Sequence, residues 1–320
     1  MILRVVSPTH IGSGDKLTRI DYIHRNGKIR IIDYEKAWNE NEKIRKMIEA
    51  GRFDPRIASN YYKYEVDAFC KPEGDILEHI KILGRPYIPG SSVKGAVRTA
   101  LLWKYLKDKN LKVKSKEELR RVEKEFFASH SGDLMRFFLV RDSKPAEIES
   151  LGIYETIILS ERDRQLEEKA LKSGRTLKIY TESLKPDTKL EIDIKVNDKN
   201  LEDWMDKLSE FSKFVLSIDR KFFEDRNDGR FDRILKFIDE IESKLNSGRI
   251  LFRLGFSTGW LWKTVGSLLT REERLEIAKK LRLSRKFGSD FPKTRRVIVD
   301  YEKSSRTYKW LPGWLEIIDS

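Results

Sequence analysis

The chain has one cysteine, Cys70, one glutamine, Gln165, and four histidines in 320 residues. A lone cysteine excludes an intrachain disulfide and any zinc site built on clustered thiolates. The histidines, His10, His24, His79 and His130, form neither a helical pair nor a His-x-His, so the usual zinc and iron patterns are missing. No metal or other cofactor is expected. No apolar segment approaches the roughly 18 residues of a membrane span. Met1–Pro8 reads as a strand rather than a signal peptide, because its apolar run is too short and lacks a cleavage site. A soluble, cytoplasmic protein with no membrane partner is expected. No period of 20–50 residues repeats and nothing is low-complexity, which removes solenoids and linkers.

What the chain does have is charge. Lys and Arg number 65 against 52 Asp and Glu, a net charge of +13, and 37% of all residues are charged. The excess favours an anionic partner through electrostatics alone, although many of these groups simply solvate helix faces. The heavy Lys, Glu and Arg usage also has a thermophile flavour.

The coarse pattern is α+β. Strand Ile2–Val6, helix Ser92–Leu106, strand Phe137–Val140, strand Thr188–Val196, helix Leu201–Arg226 and strand Ile250–Leu254 follow the order β–α–β–β–α–β. That order predicts an elaborated ferredoxin-like, RRM-like fold with long insertions. One domain over 1–320 is expected, with its core from 1–6, 91–107, 137–142, 188–226 and 250–254, and insertions at 18–83 and 150–180. Two ferredoxin-like halves, 1–184 and 185–320, are the alternative. Asn26-Gly27 between Tyr22-Ile23 and Ile29–Ile32 signals a hairpin. Tyr34–Glu49 reads as helical, Phe53–Leu83 as irregular, and Trp314–Ile317 as a last extended piece.

Gly84–Leu102 is the most informative stretch. Pro89 and Gly90 make a constrained turn, and Ser91 or Ser92 is placed to cap a helix that buries Val93, Val97 and Leu101. Lys94 and Arg98 stand four apart, a like-charge spacing that costs roughly a few tenths of a kcal/mol unless a polyanion offsets it. Helix N–H groups, two hydroxyls and two cations suit a nucleic-acid phosphate; a capped helix with a solvated basic face is the competing reading.

Two glycine-rich stretches, one of them inside this element, are not nucleotide loops. Gly90–Gly95 is followed by Ala96 and Val97 where Lys and Ser/Thr must stand, and Lys263-Thr264 has no glycine directly before it. His10 enters the loop Thr9–Gly14, where it could serve as a ribonuclease base, or hydrogen-bond backbone or RNA phosphate. The C-terminal stretch interleaves Arg285, Lys286, Lys293, Arg295, Arg296, Lys303, Arg306 and Lys309 with Phe287, Phe291, Tyr301 and Tyr308. Cations with stacking platforms suit single-stranded RNA; a basic sheet edge packed on its own aromatics would look the same.

These pieces together resemble the RAMP superfamily of CRISPR proteins. The likeness runs through Pro8–Gly14, Tyr87–Arg98 and the glycine loop Leu254–Gly259. Val140–Pro145, Tyr180–Leu184, Trp260–Thr264, Pro292–Arg296 and Gly313–Leu315 are similar to the family of the fifth subunit of the type III-A (Csm) effector complex. The chain departs at Ser257, where members often have glycine. The resemblance implies a non-catalytic RNA-binding subunit that caps the crRNA 3′ end beside the last backbone subunit and assists crRNA maturation through host nucleases. Its partners would be crRNA, target RNA indirectly, and other Csm subunits. The RNA-binding residues expected are His10, Gly12, Gly14, Ser91, Ser92, Lys94, Arg98, Arg141, Lys144, Gly255, Gly259, Lys263, Arg295 and Arg296. Two enzymatic alternatives are a backbone subunit cutting target RNA with an early-loop aspartate, Asp15 or Asp21, and a crRNA-processing endoribonuclease using His10.

Overall fold

A computed structural model describes residues 1–129, 132–162, 165–226, 228–283, 290–302 and 305–318. Alternation buries Leu3 and Val5 of the first strand, Ile2–Val5, and sets it in the middle of an antiparallel sheet. The order across that sheet is Lys189–Glu191, Ile2–Val5, Trp314–Ile318 and Ile250–Arg253. The outer segment runs on as Ile194–Val196, which pairs with Phe138–Val140. Backbone bonds from Arg141 N–H to Asp193 O (3.0 Å) and from Lys144 N–H to Glu191 O (2.8 Å) continue that edge. Helices Gly90–Asp108 and Trp204–Glu224 pack on this sheet and on each other, which gives the ferredoxin-like α+β arrangement.

One place in the sheet differs from the expectation. Ile250–Arg253 does not pair with the first strand; Trp314–Ile318 lies between them. Trp314 and Leu315 are fully buried there, so the last extended piece is a central strand.

The expected insertions are not peripheral. Leu151–Arg162, an apolar run buried along most of its length, is the hub of a second, ten-stranded sheet. It pairs antiparallel with Gln165–Glu168, Lys178–Leu184 and Thr294–Glu302, and parallel with Tyr62–Ala68. Residues 18–83 supply Tyr22–Arg25, Lys28–Ile32, Tyr62–Ala68 and Ile76–His79 to the same sheet, so Phe53–Leu83 is not irregular. The Asn26-Gly27 hairpin forms with both residues at positive φ, 52° and 72°. The Tyr34–Glu49 helix breaks at Asn41, whose extended backbone and side chain cap a second helix, Glu42–Glu49. One hydrophobic cluster joins residues of both sheets, from Leu3 to Ile317. Among the described residues no helix is long and apolar enough to cross a membrane.

Candidate nucleic-acid interface

Three sequence motifs converge on one cleft of about 440 Å³: Ile11 and Gly12 after the first strand, Ser92, Gly95, Ala96 and Thr99 on the motif helix, and Gly255, Thr258 and Lys263 around the glycine loop. The loops are locked together by backbone. Phe256 N–H donates to His10 O at 2.8 Å. Gly255 has φ +89°, and a Cβ there would stand 2.3 Å from His10 O, so only glycine fits. Two residues on, Ser257 holds φ +70° with a buried hydroxyl that has no hydrogen-bond partner. The departure from glycine therefore falls on a left-handed position.

His10 is 5% exposed, and its Nδ1–H donates to Glu182 O at 2.6 Å. Burial pushes its pKa down to about 4, although the Glu182 carbonyl acts in the opposite direction. His79 packs edge-on at 5.9 Å, accepts the Ile11 N–H, and is likewise driven down by burial, to about 3. Both rings are neutral at pH 7. They buttress the loops, and Glu182 beneath them is tied to Tyr64 Oη (2.7 Å), His79 N–H (3.1 Å) and Lys81 Nζ (2.6 Å).

The motif helix spans Gly90–Asp108. Neither Ser91 nor Ser92 caps it, contrary to the expectation: Pro89 is the N-cap residue, and the Asp142 carboxylate accepts Gly90 N–H at 2.8 Å. A Cβ on Gly90 would sit 2.4 Å from Val140 O, so that close approach needs glycine. Ser143 closes the joint by accepting Ile88 N–H at 2.9 Å. One of the helix N–H groups assigned to phosphate is thus occupied by a protein carboxylate. At 100° per residue, the cleft-facing positions 92, 95, 96 and 99 are centred more than a quarter turn from Lys94 and Arg98, although Arg98 stands only one i, i+3 step from Gly95. Lys94 has no ion-pair partner among the described residues. Arg98 pairs with Asp133 at 3.0 Å and lies 3.8 Å over the Phe127 ring.

Lys263, at the cleft, has no carboxylate partner among the described residues, nor has Arg296, which lies 5.2 Å from the Phe256 ring. Partial desolvation, then the charges of Arg296 and Arg253, hold the Lys263 ammonium below its ordinary pKa, and burial lowers Arg296. Arg295 is oriented differently. It pairs with buried Asp219 at 2.5 Å and covers Phe222 at 4.2 Å. Asp219 also takes Arg253 (3.2 Å) and Trp262 Nε1–H (2.8 Å), which fixes the cleft floor. Trp262 is core, and Trp260 packs edge-on against Phe291.

The remaining expected residues lie outside this cleft. Arg141 and Lys144 pair with Asp193 (3.7 Å) and Glu191 in a separate surface cleft beside Met1. Gly14, Ser91 and Gly259 do not line the RNA candidate cleft. In the C-terminal stretch Arg306 pairs with Glu155 and Glu168, Lys309 with Asp300, and Tyr308 donates to Glu168. Arg285, Lys286, Phe287 and Lys303, with His130, fall outside the described residues. Asp21 accepts Thr18 N–H (2.7 Å) and Thr18 Oγ1–H (2.6 Å) and so closes a turn. Sequence reasoning did not single out Asp142, Glu182 and Asp219. Asp142 and Glu182 stand within matched motifs, but nothing local marks a carboxylate as buried.

The fold and site together define an α+β protein whose ferredoxin-like sheet presents a cationic, glycine-lined cleft. The chain belongs to the RAMP superfamily, whose family model matches residues 2–261. It is 23% identical over 370 residues to "CRISPR system Cms protein Csm5" of Methanocaldococcus jannaschii, covering 96% of this chain and 86% of that protein. A Streptococcus thermophilus protein of the same name is 27% identical over 231 residues, 60% of this chain and 62% of that one. Among solved structures, a chain of a Csm–crRNA–target RNA ternary complex of a type III-A CRISPR-Cas system aligns with TM-score 0.72 and 23% identity, over 99% of both chains. The T. onnurineus Csm5 crystal structure aligns with TM-score 0.59 and 21% identity, over 99% of this chain and 100% of that one.

Proposed function

We propose that the protein is a non-catalytic, crRNA-binding subunit of a type III-A CRISPR effector complex, capping the crRNA 3′ end beside the backbone RAMP subunit and assisting maturation. The carrying observation is the charge left over at the cleft. Lys263 lines it and Arg296 lies next to it over the Phe256 ring, both without carboxylates, beside small residues that let an RNA backbone approach. The similarity to proteins named Csm5 supports the complex. Gly12, Ser92 and Gly255 line the path of the RNA, and Lys94 and Arg98 extend a phosphate track along the helix flank. Arg295 leaves the set, because Asp219 holds it. His10 is buried, bound to the Glu182 carbonyl and too weakly basic to take a proton from RNA, and Asp21 is bound in a turn, which favours the binding role over the enzymatic ones.

The test is crRNA affinity across a salt series for Lys263→Ala/Arg296→Ala. Each single-strand phosphate contact contributes about 0.7 to the log–log salt slope, so the double variant should lose roughly 1.4. In assembled complexes it should also leave crRNA 3′ ends heterogeneous. An unchanged slope and uniform ends in a folded variant would overturn the proposal, as would RNA cleavage by the isolated protein abolished by His10→Ala or Asp21→Ala.

A further inference from the structure

A second cleft, of about 610 Å³, opens on the ten-stranded sheet and shares no lining residue with the first. It lies between the Gly27 turn, residues 68–73 and the strand carrying Tyr301. Two large rings border it, Phe69 (37% exposed) and Tyr301 (39% exposed). Both are fixed in advance. Phe69 stacks one face on Tyr154 at 4.6 Å and 11°, and a Cβ on Gly152 would come within 2.7 Å of its ring, so that glycine makes the seat. Tyr301 is held by its hydroxyl, which donates to buried Glu155 at 2.9 Å.

The charges sort as clearly. Lys178 is paired with Glu73 (3.1 Å) and Asp300 with Lys309 (2.6 Å). Lys71 is left with no ion-pair partner among the described residues. His24 is also on the wall, and partial desolvation, then the charge of Lys71, lower its pKa. Preset aromatic rings beside an ammonium outside any ion pair match a nucleotide, with a base for the rings and a phosphate for the lysine.

We propose that this cleft is a second RNA contact, in which an unpaired base stacks on Phe69 or Tyr301 and its phosphate meets Lys71. The inference rests on the RNA-binding reading above, but on different residues. The full chain is irradiated with single-stranded RNA carrying 5-bromouridine, and cross-linked peptides are mapped. Cross-links should fall on the Phe69 and Tyr301 peptides and drop about tenfold in Phe69→Leu/Tyr301→Leu, the loss expected for a stacked base. They should drop also in Lys71→Glu, survive in Phe69→Trp, and survive in Lys263→Ala at saturating RNA. Cross-links confined to peptides of the first cleft would overturn this site while leaving RNA binding intact; no cross-link anywhere would overturn both. Competition by uridine monophosphate as effective as by RNA would reassign the cleft to free nucleotides. Protection of these peptides by protein partners without RNA would make it a protein interface. Either result overturns the proposal.

Discussion

Ser257 is where a single side chain works against its backbone. At φ +70° an L-residue costs about 1 kcal/mol, and its buried, unpartnered hydroxyl adds roughly 1–3 kcal/mol of desolvation. A glycine would gain both, less about 0.5–1 kcal/mol for the entropy of the unfolded chain. Ser257→Gly should therefore raise the unfolding free energy by about 1 kcal/mol or more, read as an upward shift in the denaturant midpoint; a downward shift would show that the hydroxyl is satisfied. His10 and His79 make a second residue-scale prediction. Their folded pKa values, about 4 and about 3, lie below the ordinary 6.5. The unfolded chain binds more protons between those values, so stability is full above pH 6.5 and declines as pH falls towards 4 and 3. The loss is on the order of 3 kcal/mol for His10 and about 5 kcal/mol for His79 at the low end of that window. Melting temperatures measured from pH 7 to 4 should fall, and His10→Asn should flatten part of the slope. A profile identical to that of the variant would contradict the burial argument.

At the scale of elements, the long helix Trp204–Glu224 matters through Asp219, which ties it to strand Ile250–Arg253, to Trp262 beyond the glycine loop and to Arg295. Desolvation pushes the fully buried Arg253 down to about 10 even with Asp219 opposing it, so the arginine cannot lose that partner cheaply. Asp219→Ala should destabilise by about 3–5 kcal/mol, because an unpaired charge stays buried. Lys263→Ala should weaken RNA binding with little change in melting temperature. The reverse pattern would exchange their structural and functional roles. The elements themselves were largely legible in the sequence. Asn26-Gly27 announced its hairpin, and the helices from 90 and 204 stand close to where the sequence pattern placed them. Pairing was not legible. The run Leu151–Arg162 says "strand" but not "hub", since a continuous apolar stretch does not specify its neighbours. Likewise the motifs named the cleft's residues, while the partners that remove Arg141, Lys144 and Arg295 from the pool of available cations come from distant segments.

For the molecule as a whole, the antiparallel sheet is closed by residues far apart in sequence. Arg4 and Glu316 pair across a separation of 312 residues, and Trp314–Ile318 is hydrogen-bonded on both of its edges. A chain ending after Trp310 lacks that strand, and Ile2–Val5 and Ile250–Arg253 are left facing a gap. Such a truncation should fail to reach a cooperative fold, seen as loss of a sharp thermal transition; a cooperative transition would show that the two sheets are separable. During synthesis the same geometry imposes a wait. The first strand is made well ahead of the neighbour that covers its open edge, with 312 residues separating Arg4 from Glu316. Until then the nascent chain carries an unpaired apolar strand edge, the kind of surface that invites wrong partners. This sheet can therefore close only after Trp314–Ile318 has been made, so any partner that reads the finished first-strand loop meets only chains that already carry that strand.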